Sequence, residues 1–124
     1  MDWTALGRRA VACKGWRWLP GMHERCHGWE WRLYKSGDGL SWVDAEGQSR
    51  PLEPHKDFPD LSDPATVGCL LQLVREAHDR PMLFTAPTSN ESWGVWDSCD
   101  LLSGHGACCD TEAEALVAAL EAAP

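Results

Sequence analysis

Residues 29–35 read Trp-Glu-Trp-Arg-Leu-Tyr-Lys and alternate apolar and polar with a period of two. That period belongs to a half-buried β-strand. Trp29, Trp31 and Leu33 would share the inner face, with Glu30, Arg32 and Tyr34 outside. A strand this heavy in Trp needs a thick partner layer, because each ring has a large area to bury. The chain holds eight Trp in 124 residues but only one Tyr and two Phe. The sheet it builds is therefore expected to be Trp-packed and covered by helices.

The rest of the chain supplies those layers. Residues 2–14 read as a helix with Asp2 as N-cap, a stripe of Trp3, Leu6, Ala10 and Cys13, and Gly15 just past its end. Gly7 costs this helix about 1 kcal/mol relative to Ala unless close packing requires it. Residues 16–22 start as a strand that Pro20-Gly21 breaks. Ser36 to Gly39 form a turn that returns residues 40–44 as a hairpin partner. Residues 45–62, with three prolines and few apolar side chains, read as an exposed connection. The most strongly marked helix is 63–78, with Asp63 as cap, Pro64 at the first helical position, and a stripe of Val67, Leu70, Leu71, Val74 and Ala77. Residues 82–86 read as a buried strand, 93–98 as another strand, and 99–109 as a loop rich in Gly and Cys. A capping box from Thr111 to Glu114 opens the last helix, whose stripe is Ala113, Leu116, Val117 and Leu120. The order α-β-β-β-α-β-β-α predicts a single α+β domain over residues 1–124, with one mostly antiparallel sheet under two to three helices.

Three blocks of this sequence resemble small phage and prophage proteins of uncharacterised role. The first is Ala12-Cys13-Lys14-Gly15-Trp16-Arg17-Trp18-Leu19-Pro20-Gly21-Met22. The second runs from Pro59 through Asp63-Pro64 to Leu71, and the third is the helix from Thr111 to Pro124. Together they span about a third of the chain. The resemblance implies a small layered α–β–α fold and a phage accessory role. It supplies no catalytic residue.

Charge is unevenly spread. Up to residue 35 there are seven basic and three acidic residues; beyond it there are four basic and 16 acidic, and the net charge is −8. An acidic body repels nucleic acid and anionic membranes, though a local basic face stays open. The apolar runs are too short to span a bilayer. The N-terminus has no charged head followed by an apolar stretch, which points to the cytoplasm of a bacterial host and to reduced thiols for the six cysteines.

Four chemistries remain to be weighed. Zinc is the one cofactor the residues suggest: His23, Cys26, Cys99 and Cys108 are the candidate ligands, from loops at 23–27 and 99–109. The second loop lacks the Cys-x-x-Cys spacing, and free thiols with surface histidines explain the same residues. Cysteine catalysis would fall to Cys109, placed ahead of the last helix, while Cys13 and Cys69 read as buried filler; a carboxylate pair among Asp57, Asp60 and Asp63 competes with loop solvation and helix capping. Single-stranded nucleic acid would use Trp platforms beside Arg17 and Arg32. Alternation opposes this, since the Trp and Arg residues point to opposite faces. Protein contact uses Trp and Arg as anchors, and Trp42, Trp93, Trp96, Arg17 and Arg32 are the candidate binding residues. Trp93 and Trp96 sit at odd offset, so only one of them can face outward. The expected function is a non-enzymatic phage or prophage accessory protein that contacts a host or phage protein, one form being inhibition of a host factor or defence complex. The alternative is a zinc-stabilised nucleic-acid-binding module.

Overall fold

Helix α1 (Trp3–Val11) begins where the Asp2 carboxylate accepts the Ala5 N–H at 3.0 Å. The computed structural model describes residues 1–24, 31–54, 56–88, 91–97, 100–101 and 109–124, with residues 100 and 101 described by their backbone. After α1 come β1 (Arg32–Ser36), β2 (Gly39–Val43), β3 (Ser49–Pro51), α2 (Pro64–Ala77), β4 (Phe84–Pro87), β5 (Trp93–Asp97), β6 (Asp100–Leu101) and α3 (Glu112–Glu121). The mixed α+β class, the three helices and the antiparallel pairing are those expected. The strands divide into two three-stranded sheets, β1-β2-β3 and β4-β5-β6.

The first sheet grows from a two-residue hairpin. Gly37, the first loop residue, takes φ +57°, a conformation glycine adopts without a Cβ penalty. Leu33 faces Trp42 across the hairpin, and both are fully buried. Residues 16–22 do not form a regular strand. Their end instead lies along β1, with Gly21 N–H donating to Leu33 O at 2.7 Å and Leu33 N–H to Met22 O at 2.8 Å. Pro20 removes a donor there, and Gly21 takes φ +95°, so regular pairing cannot extend backward. Trp16 and Trp18 still meet, edge to face at 5.4 Å, and Trp18 meets Trp42 at 5.5 Å. Trp29 lies outside the described residues.

The reading of 45–62 as an exposed connection needs correction. It contributes strand β3, and Asp57, Pro59 and Leu61 are buried. Pro59 reaches α1 so closely that a Cβ on Gly7 would lie 3.1 Å from its carbonyl oxygen. Gly7 is thus the close-packing glycine that the α1 pattern allowed for.

α3 sits at the centre. Ala113, Ala115, Leu116, Val117, Ala119 and Leu120 are all buried, which is wider than one stripe. Small alanines let it lie between α1, α2 and the β4–β5 pair, all of which it contacts. The Thr111 hydroxyl accepts the Glu114 N–H at 3.1 Å. The return bond of the capping box goes to Asp110 N–H, at 3.2 Å, one residue earlier than expected. In α2 the buried set is Thr66, Leu70, Leu73 and Val74; Val67, Leu71 and Ala77 are only partly covered. No helix among the described residues is long and apolar enough to cross a membrane.

Candidate protein-contact surface

β5 presents two faces. Val95 is fully buried, and Trp93, two residues earlier, packs on the same core. α3 covers this face, and Thr85 of β4, the partner of Val95, donates its hydroxyl to Glu112 at 2.5 Å. Trp96 therefore points the other way. Its cross-strand partner is Phe84, and directly opposed residues share a face. Phe84 is 39% exposed and Trp96 half-buried. The Trp96 indole N–H donates to Ala86 O at 3.4 Å, which holds the ring along the sheet. Met82 is 74% exposed just before β4, and an Arg80–Asp97 ion pair at 2.6 Å borders the strand ends. A groove at the end of α2, lined by Gln72, Arg75, Glu76, Asp79, Arg80 and Pro81, opens beside Met82 in the chain.

Three of the other expected binding residues, Trp42, Arg17 and Arg32, are engaged within the chain. Trp42 is not at the surface. It is fully buried and donates its indole N–H to Asp57 at 2.8 Å. Arg17 pairs with Glu76 at 2.6 Å. Arg32 donates to both oxygens of Asp63 at 3.2 Å and to Gly21 O at 2.7 Å. Arg9 pairs with Glu121 at 2.6 Å. Three of the seven basic residues up to residue 35, Arg9, Arg17 and Arg32, are thus paired with acids of the later chain.

Of the four zinc candidates, Cys26, Cys99 and Cys108 lie outside the described residues. His23 is described, and its Nδ1 donates to Asp60 at 3.1 Å while its backbone N–H donates to Thr66. Among the described residues no group of three His, Cys, Asp or Glu side chains is arranged to hold a metal. The three carboxylates considered as a catalytic pair go separate ways: Asp57 binds Trp42 and Arg50, Asp60 binds His23 and Ser62, and Asp63 caps α2 and binds Arg32. Burial alone would raise Asp60 and Asp63. Hydrogen bonds from Ser62 and His23 outweigh it at Asp60, and those from Arg32 and Thr66 do so at Asp63, so both carboxyls lie below their ordinary range. Cys13 and Cys69 are half-buried, and their thiols donate to the carbonyls of Arg9 and Pro20. Burial pushes both thiols up, away from nucleophilic use. Cys109 is half-buried, and its carbonyl accepts the Trp93 N–H at 2.8 Å.

Sequence reasoning missed one cluster. Glu24, Arg50 and Asp57 meet behind Trp42, with Arg50 bonded to both acids and its guanidinium over the Trp31 and Trp42 rings at 5.1 and 5.6 Å. Burial first, then the hydrogen-bonded Asp57, pushes the Glu24 carboxyl up despite Arg50. Burial also acts to raise Asp57. The Glu24 bond, the Glu53 N–H, the Trp42 indole and the Arg50 charge reverse that and hold it down. Of the two carboxyls, Glu24 is therefore the first to take up a proton as pH falls. Arg50 opposite Trp42 on neighbouring strands was the available signal, once β3 is recognised.

No protein-family model, no curated protein and no solved structure matches this chain.

Proposed function

We propose that this chain is a non-enzymatic accessory protein of phage or prophage origin that acts by contacting another protein, of the host or of the phage. The observation that carries the reading is the Phe84–Trp96 pair on the face of the second sheet opposite α3. Burying exposed aromatic area is the largest gain a small surface can offer, and Trp is enriched among the anchors that dominate interfaces. Exposed Met82 extends the apolar surface and adapts its shape to a partner. The Arg80–Asp97 pair supplies a polar border. Resemblance of three sequence blocks to small phage proteins supports the accessory role. Inhibition of a host factor or defence complex in the bacterial cytoplasm is one form of that role.

The test is affinity purification of the tagged chain from its bacterial host after nuclease treatment. Wild type, Trp96→Ala and Phe84→Ala are compared by mass spectrometry. A protein held at stoichiometric level by wild type and lost from both folded variants supports the reading and names the target. Retention of the same protein by both variants rejects this surface. Nucleic acid as the only companion when nuclease is omitted rejects protein contact.

A further inference from the structure

The last third of the chain carries no Lys or Arg to match its acids. Residues 81–124 hold seven Asp and Glu and no Lys or Arg, so nearly all of the net charge of −8 arises there. Those residues build β4, β5, β6 and α3. Among the described residues, ion pairs neutralise two of these acids: Arg9 reaches Glu121 and Arg80 reaches Asp97, each at 2.6 Å. Glu91 and Asp110 are exposed and have no ion-pair partner among the described residues. β5 is thus bracketed by Glu91 before it and Asp97 at its end, and neither β4 nor β5 contains a basic residue.

The exposed rings of this sheet add to the same preference. The face of an aromatic ring is negative and attracts a cation. This chain uses that attraction internally: Arg8 lies over Phe58 at 5.3 Å, and Arg50 over Trp31 at 5.1 Å and Trp42 at 5.6 Å. No guanidinium stacks on Phe84 or Trp96 among the described residues. The two arginines that precede β4 in the chain are held elsewhere, Arg80 by Asp97 and Arg75 by the Leu83 carbonyl, to which its Nε donates at 2.7 Å. A partner bearing carboxylates would meet ring faces and acids of its own sign. A purely apolar partner would leave the acids without a counter-charge.

We propose that the partner of the Phe84–Trp96 surface presents a basic docking face, in which an Arg side chain stacks on these rings and further Arg or Lys side chains answer the surrounding acids. The inference rests on the contact surface proposed above and names the chemistry of what covers it. Arg suits the role better than Lys, because its planar guanidinium stacks on a ring and still donates to carboxylates from its edge. Opposite charge on the two faces also speeds encounter and disfavours acidic competitors.

The experiment is a titration of the isotope-labelled full chain followed by NMR. The probes are three end-blocked peptides of matched length and Leu content: Arg-Leu-Arg-Leu-Arg, Glu-Leu-Glu-Leu-Glu and Ser-Leu-Ser-Leu-Ser. Saturable shifts at Phe84, Trp96 and Asp97 are expected with the Arg peptide alone, weakening at least severalfold from about 0.05 M to about 0.5 M salt. Trp96→Ala should weaken binding of the Arg peptide about two- to fivefold, and Asp97→Asn, which also leaves Arg80 unneutralised, by a similar factor. Equal shifts from the Glu or Ser peptide overturn the inference, as do Arg-peptide shifts confined to another surface or no saturable shift at all. Unchanged affinity in folded Trp96→Ala also overturns it; should that variant not fold, unchanged affinity in Asp97→Asn does so. None of these outcomes decides whether the surface holds a partner protein, which the capture comparison of wild type with Trp96→Ala and Phe84→Ala settles separately.

Discussion

The indole of Trp42 lies between Trp18 and Arg50, with its N–H on Asp57 and no exposed surface. Replacing it by Ala removes one of the largest buried side chains and leaves Asp57 short of a donor. The expected loss is about 3–5 kcal/mol, read as a shift of the urea midpoint without change of slope. The acids around it set the pH response. Asp57, Asp60 and Asp63 all have folded values held below their ordinary 3.8. Their stabilising effect is present above that value and lost as pH falls through the lower folded values. Glu24 works in the opposite sense. Its folded value lies above 4.5, so its contribution is present in acid and lost as pH rises through the folded value. Urea midpoints measured from neutral pH downward should therefore decline most steeply below about 4. Asp57→Asn should flatten that decline, and an unchanged pH profile in this variant would show that the cluster is not what titrates.

At the scale of elements, caps and close approaches decide. Thr111→Ala deprives the Glu114 N–H of its acceptor and is expected to cost about 1 kcal/mol. Because α3 is the central helix, that loss should appear as a lower global melting temperature and not as local fraying. Gly7→Ala offers a sharper contrast. By helix propensity alone it should stabilise α1 by about 1 kcal/mol. The added Cβ would lie 3.1 Å from the Pro59 carbonyl oxygen, tighter than ordinary contact, and overpacking of this kind costs about 1–3 kcal/mol. Net destabilisation in chemical denaturation is the expected outcome. A gain in stability would mean that the 57–61 segment moves away readily.

For the whole molecule, the basic N-terminal third is tied onto the acidic remainder through Arg9–Glu121, Arg17–Glu76 and Arg32–Asp63. Two of these pairs are well exposed, so raising the salt concentration should change the melting temperature little. The proposed contact surface lies elsewhere, on the β4–β5 face. Trp96→Ala is expected to leave the melting temperature near that of wild type while abolishing partner capture, because the ring lies outside the α3-covered core. A large fall in melting temperature would instead make Trp96 a structural residue.

Helix positions, their caps and the first hairpin were legible in the sequence, because each depends on local chemistry: Asp63 followed by Pro64, Thr111 three residues before Glu114, Gly37-Asp38 between two strands. The odd offset of Trp93 and Trp96 likewise required that they face opposite ways, since strand geometry alternates. Which of them faces outward was decided by α3, a contact between segments distant in sequence. Tertiary structure also decided that the strands form two sheets, that Trp42 is buried, and that residues 45–62 join the core. That segment has few apolar residues, and its buried polar residue, Asp57, is acceptable only because Trp42, Arg50 and Glu53 answer its oxygens. A sequence shows the residue but not its partners, and burial of a charge depends on the partners.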